Sequence, residues 1–118
     1  MADQRFIIEM GSGNDLHGQD YTKAAGRAIK DALRHSSLPL FEATALSHEA
    51  MRVTVTVAVQ KPELVDTDAL VDLLPRGRVE VRAVFGGLDV DTGQDVIVIA
   101  QAAVEAFLPP QSGWRLEG

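Results

Sequence analysis

The segment from Gly11 to Asp20 holds more residues capable of chemistry than any other stretch of the sequence. Its ten residues include three glycines, two aspartates, a histidine and two side-chain amides. Asp15 and His17 are two positions apart, so the carboxylate can orient the imidazole and raise its basicity. We therefore predict Asp15 and His17 as an acid/base pair that acts near neutral pH. The alternative, in which Asp15 caps a turn and His17 donates to a backbone carbonyl, stays open.

The glycines of this segment also suit a bound ligand. Glycine lets the backbone approach a ligand closely, and the segment leads into the N-terminus of a helix, which attracts anions. The ligand expected is a small anionic metabolite, and its candidate binding residues are Gly11, Ser12, Gly13, Asn14, Gly18 and Lys23. Known phosphate loops do not match, because Gly18 follows Gly13 by five positions and Lys23 follows a threonine instead of a glycine.

A metal site is the main competing chemistry. A mixed nitrogen and oxygen ligand set is offered by Asp15, His17 and Asp20 together with His48 or Glu42. None of these residues stands at the spacing of a known metal motif, so no metal is assigned and no cofactor is identified. The acidic run 89–95 is similar to a calcium loop, but its twelfth position is Ala100 where a glutamate is needed, which favours a hairpin turn.

Composition limits the function classes. The 118 residues are 46% hydrophobic and 24% charged, which fits one soluble globular domain over residues 1–118. The chain has no cysteine, so disulfides, thiolate nucleophiles and zinc-thiolate sites are excluded. No stretch of about 18 residues is free of charge, and the N-terminus lacks the apolar core of a secretory signal. We therefore expect a cytoplasmic protein with no membrane contact.

The charge is unevenly distributed along the chain. Residues 1–60 hold six Lys or Arg against seven Asp or Glu, whereas residues 61–118 hold five against ten, which together give the net charge of -6. An acidic chain repels phosphate backbones, so nucleic-acid binding is not expected. Lys23, Arg27, Lys30 and Arg34 repeat at helical spacing and predict a solvated basic stripe beside the candidate site. A small anion therefore remains compatible with this half of the chain.

Hydrophobic periodicity predicts the elements that must position these residues. Strands are predicted over residues 5–10, 40–46, 51–60, 78–85 and 96–100, and helices over residues 20–35 and 66–74. Residues 101–108 either extend the last strand or form a helix. Asp20 is the expected N-cap of the first helix, and the alanines of that helix allow it to lie close to a sheet.

This order, β-α-β-β-α-β-β, predicts an α+β fold with a mainly antiparallel or mixed sheet and two helices on one face. The opposite face carries Arg52, Thr54 and Thr56 and must meet water or another subunit, so we expect a homo-oligomer. The order is similar to that of small trimeric enzymes with the chorismate mutase-like fold, whose sites lie between subunits. Element order alone transfers no reaction.

Residues 11–18 reproduce the pattern GxGxDxHG position for position. The pattern resembles the motif of a family of small, functionally uncharacterised bacterial proteins with relatives in plants, and residues 19–28 resemble the family's continuation. The resemblance nominates Gly11, Gly13, Asp15, His17 and Gly18 as the site and implies no reaction.

Two functions are consistent with the sequence. The first is small-molecule binding or acid/base catalysis at the Gly11–Gly18 loop, at a subunit interface. The second is a non-catalytic oligomeric binding or scaffold protein in which the loop is a folding device. The chain has no recognisable catalytic triad, and the question of an enzyme stays open.

Overall fold

In a computed structural model of the chain, the described residues are 4–34, 52–74 and 78–108. Their elements are β1 (Gln4–Asp15), α1 (Tyr21–Arg34), β2 (Arg52–Val59), a 3-10 turn (Pro62–Leu64), α2 (Thr67–Val71), β3 (Arg78–Phe85), β4 (Leu88–Asp91) and β5 (Val96–Leu108). The α+β class predicted from the sequence is confirmed. The strand predicted at 40–46 lies outside the described residues.

The strands form one mixed sheet in the order β1-β5-β2-β3. The long strand β5 is central, because β1 and β2 both pair with it antiparallel. β3 lies parallel to β2. β4 pairs antiparallel with the first residues of β5, and β2 pairs with the later residues of β5 on the same side of that strand. Residues 101–108, for which the sequence left two possibilities, extend the last strand.

One face of the sheet packs against α1 through small side chains. The buried residues of α1 are Tyr21, Ala24, Ala25, Gly26, Ala28, Ile29 and Ala32. Opposite them lie the buried alternate residues of β2 and β5, which are Val53, Val55, Val57, Val59, Val98, Ala100, Ala102, Val104 and Ala106. Because alanine has no side chain beyond Cβ, helix and sheet approach closely, as the sequence predicts.

β1 is longer than its sequence indicates, which changes the meaning of two glycines. The strand continues to Asp15 and stays paired with β5, so Gly11 and Gly13 lie in a strand and not in a loop. A Cβ on Gly13 would lie 2.3 Å from the backbone nitrogen of Ala28, and one on Gly11 2.3 Å from that of Ala32. The predicted strand end at Gly11 is therefore wrong. The glycines mark the contact of β1 with α1, where a side chain has no room.

Both helices of the described residues begin at aspartate caps. Asp20 Oδ1 accepts a hydrogen bond from the Lys23 amide at 3.0 Å. At the start of α2, Asp66 Oδ1 accepts from the Ala69 amide at 3.1 Å. α2 ends at Val71, earlier than predicted, and no described helix is long and apolar enough to cross a membrane.

The opposite face of the sheet, here called the outer face, is not covered by any described element. By strand it consists of Ile8, Met10, Ser12 and Asn14; Arg52, Thr54, Thr56 and Ala58; Arg78, Glu80, Arg82 and Val84; Leu88 and Val90; and Ile97, Ile99, Gln101, Ala103, Glu105 and Phe107.

Candidate functional site

Residues 16–20, here called the crossover, carry the chain from the end of β1 to the start of α1. The backbone adopts positive φ at two consecutive residues, with +90° at Gly18 and +51° at Gln19. A residue with a side chain is strained in this conformation, so neighbouring contacts must hold Gln19 there. The side chain of Gln19 supplies one such contact, since its Nε2 donates to the hydroxyl of Tyr21 at 2.9 Å.

Asp15 is buried and anchors the crossover. Its Oδ2 accepts a hydrogen bond from the backbone amide of Asp20 at 2.9 Å, which ties both ends of the crossover together. Its Oδ1 lies 3.9 Å from Lys23 Nζ and 3.8 Å from Arg27 Nη1. Both cationic side chains are about half exposed, so water screens these ion pairs. The geometry gives Asp15 a positioning role.

His17 pairs with a carboxylate from the far end of the chain. Its Nδ1 lies 2.9 Å from Oδ2 of Asp95, a residue of the loop between β4 and β5. The predicted pairing with Asp15 is therefore wrong. The two residues do not share a strand face, because β1 ends at Asp15 and the chain then bends. The imidazole is 82% exposed, and its Nε2 has no hydrogen-bond partner among the described residues.

A cleft of about 330 Å³ lies between the crossover and the β4–β5 loop. It is lined by Gly18, Gln19, Asp91, Gly93, Gln94, Asp95 and Val96. Among the described residues, this lining contains two carboxylates and two amides and no lysine or arginine. It does not favour the small anion that the sequence predicts, because two carboxylates attract cations and hydrogen-bond donors.

The β4–β5 loop is held in shape by its own hydrogen bonds. The Gly93 amide donates to Asp91 Oδ1 at 2.8 Å, and the Thr92 amide donates to the carbonyl of Asp95 at 2.9 Å. Gly93 has φ +88°, which its lack of a side chain allows. The predicted hairpin turn is confirmed, and it presents Asp95 to His17.

A buried tyrosine joins α1 to β4 beneath the cleft. The hydroxyl of Tyr21 donates to Oδ2 of Asp89, while Oδ1 of the same carboxylate is buried and has no partner among the described residues. Burial and, next, the hydrogen bond to Asp89 raise the pKa of Tyr21 above its usual value of about 10. Tyr21 therefore stays protonated near neutral pH and links the start of the helix to the hairpin.

Comparison with known proteins places the chain among relatives of unknown function. The family model of the conserved hypothetical protein Lin0512_fam matches residues 5–106. The chain belongs to this family. A crystal structure of an FtsZ-like protein of unknown function from Nostoc punctiforme PCC 73102 is 39% identical, with a TM-score of 0.80, and the match covers 93% of this chain and 99% of that one. No curated protein is significantly similar. The predicted resemblance to an uncharacterised family is confirmed.

In this Lin0512_fam member, the predicted site residues of β1 do not line the cleft, and Ser12 and Asn14 bond α1 only through their backbone groups. Gly11 and Gly13 contact the helix backbone. The amide of Ser12 donates to Asp31 Oδ2 at 3.0 Å, and the carbonyl of Asn14 accepts from Arg27 Nη1 at 2.6 Å. These two bonds tie the edge of β1 to the helix. Of the remaining predicted residues, Gly18 lines the cleft and His17 contacts it through Asp95.

The hairpin supplies one half of the cleft through four residues that the sequence did not predict as site residues, namely Asp91, Gly93, Gln94 and Asp95. The available signal was the acidic run 89–95, whose pattern predicts a hairpin turn but was not linked to the segment that holds His17. Among the residues that the structure describes, no group of three or more His, Asp or Glu side chains is placed to hold a metal ion. His48 and Glu42, which completed the predicted ligand set, lie outside the described residues.

Proposed function

We propose that the protein binds a small polar molecule in the cleft between the crossover and the hairpin, where His17 and Asp95 act as an acid/base pair. The observation that carries this proposal is the exposed imidazole held through Nδ1 by a carboxylate. When Nδ1 carries the proton donated to Asp95, Nε2 presents its lone pair outward as a base.

The lining supports a ligand that is neutral or positively charged. Asp91 and Asp95 attract ammonium and hydroxyl groups, whereas the Nζ atom of Lys23 lies 3.9 Å from the buried carboxylate of Asp15 and does not line the cleft. The amides of Gln19 and Gln94 can both donate and accept hydrogen bonds, so they are able to orient such a ligand. A hydroxyl- or amine-bearing substrate whose proton is transferred at Nε2 fits this chemistry.

A thermal-shift screen of amines, polyols and carboxylates tests the proposal. A ligand at about 100 times its Kd stabilises the folded state by about 2.7 kcal/mol, which raises the melting temperature measurably. The shift produced by an amine or polyol should disappear in His17→Ala and Asp95→Asn. Asp72→Asn, which changes an exposed carboxylate outside the cleft, serves as the control and should keep the shift. Equal shifts in all three variants would refute binding at this cleft.

A second candidate function, a non-catalytic oligomeric protein with a structural motif, is favoured by the packing of Gly11, Gly13 and Asp15. All three are engaged in holding β1, the crossover and α1 together. This candidate predicts that no ligand is found and that His17→Ala changes stability only slightly. An exposed ion pair such as that of His17 with Asp95 contributes about 0–1 kcal/mol.

A further inference from the structure

We infer that the outer face of the sheet is the surface through which this chain associates with a second copy of itself. Five of the large apolar side chains that stand exposed in the described residues lie on this face: Ile8, Met10, Val84, Leu88 and Val90. In the sheet register Met10 lies beside Ala103, and Leu88 lies beside Ile99, so apolar side chains of neighbouring strands adjoin at two places on this face. Exposed apolar side chains grouped over neighbouring strands are typical of an interaction surface, whereas scattered single residues are not.

The outer face is large enough for a stable interface. The five strands differ in length, and with a rise of about 3.3 Å per residue and a spacing of about 4.8 Å between strands their residues cover about 700 Å². This area is of the order of the roughly 800 Å² that each partner contributes to a specific protein interface. A small ligand would leave most of this face in water.

The shape of the face fits a copy of itself. A shallow depression of about 510 Å³ lies over the small side chains Ser12, Thr56, Ala58 and Ala103, and Asp31 and Gln101 also line it. Met10 stands on its rim and is 68% exposed. Met10 and the depression lie on the same face. Each copy can therefore insert its Met10 side chain into the depression of the neighbour and accept the neighbour's Met10 in its own, as a closed symmetric assembly requires. The flexible thioether of methionine adapts readily to such a gap.

The charges also favour a second copy over other partners. The outer face holds Arg52, Arg78 and Arg82 with Glu80 and Glu105, so its formal charge is +1, whereas the whole chain carries -6. Copies that approach through other surfaces bring acidic side chains together. Copies that meet through the outer face avoid this repulsion.

Association would also affect the hairpin beside the cleft. Leu88 and Val90 of β4 lie on the outer face, and they alternate with Asp89 and Asp91, of which the first bonds Tyr21 and the second lines the cleft. A copy packed on Leu88 and Val90 would therefore hold the strand that supplies one wall of the cleft.

The mass in solution tests the inference. By sedimentation equilibrium the wild-type chain should have at least twice its mass of 12.7 kDa. Met10→Glu places a charge in the interface and should weaken association at least about tenfold. Leu64→Glu is the matched control, because Leu64 is 59% exposed but lies in the 3-10 turn, outside the outer face, and this variant should associate like the wild type. A wild-type monomer at all concentrations would overturn the inference, as would a Met10→Glu variant that associates with unchanged affinity.

A thiol reporter keeps the test independent of any one variant's folding. The chain has no cysteine, so Ala103→Cys places a single thiol at the centre of the outer face, and Lys30→Cys places one on the exposed side of α1. At concentrations where the chain associates, the thiol at position 103 should react with a maleimide at least about ten times more slowly than in dilute protein. The thiol at position 30 should react at one rate throughout. A rate at position 103 that does not depend on concentration contradicts the inference.

Discussion

Gly13→Ala should separate α1 from β1 and destabilise the fold strongly. The added Cβ would lie 2.3 Å from the nitrogen of Ala28 and 2.6 Å from the carbonyl carbon of Arg27, whereas ordinary contacts begin at 3.4 Å. Both nearest atoms belong to the helix backbone, so no side-chain rotation relieves the clash. Helix and strand must therefore move apart by about 1 Å.

The magnitude follows from what this movement disrupts. A gap of about 0.5–1 Å loses a quarter to a half of each dispersion contact across it, and α1 packs on the sheet through a continuous row of buried alanines and Ile29. Added methylene groups in well-packed cores cost about 1–3 kcal/mol. Because the clash is between backbones, we expect the upper end, about 3 kcal/mol. For a domain near 100 residues this corresponds to a fall in melting temperature of roughly 12 °C.

Urea unfolding followed by circular dichroism measures this loss, and Gly93→Ala provides the matched control. Gly93 has φ +88°, but a Cβ added there would have no neighbouring atom within 4 Å, so its substitution costs only the backbone strain of about 1–2 kcal/mol. Gly13→Ala should therefore be the less stable variant. If its free energy of unfolding stays within about 1 kcal/mol of the wild type, the helix contact is not the reason for this glycine.

Two further measurements concern the side chains beneath the crossover. Asp15→Ala should lower the free energy of unfolding by about 1–3 kcal/mol, because it leaves the Asp20 amide without the side-chain oxygen that accepts its hydrogen bond; an unchanged urea midpoint would contradict the anchoring role. Tyr21 is the one tyrosine of the chain, so ultraviolet absorbance reports its ionisation alone, and the folded chain should titrate at higher pH than the urea-unfolded chain. Since the folded pKa is raised, this contribution to stability is complete below about pH 10 and is lost as the pH rises through the folded pKa. Coincident titrations would show that the phenol is not buried against Asp89.

Local patterns in the sequence were sufficient to predict most elements of the fold. The alternating valines of β2 predict a half-buried strand, the spaced alanines of α1 predict a helix close to a sheet, and Asp20 predicts where that helix begins. Each of these signals lies within a few neighbouring residues, because strand alternation, helical periodicity and capping are local properties of the backbone.

The contacts made by the motif residues depend on the tertiary structure. The sequence alone predicted a glycine loop around an Asp15–His17 pair, since glycines without side chains are compatible with either a loop or a close contact. Pairing with β5 keeps Gly11 and Gly13 in a strand, and the approach of α1 explains why both are glycines. The carboxylate that orients His17 comes from Asp95, 78 residues along the chain. Only folding brings such distant groups together, and no local pattern around His17 carries that information.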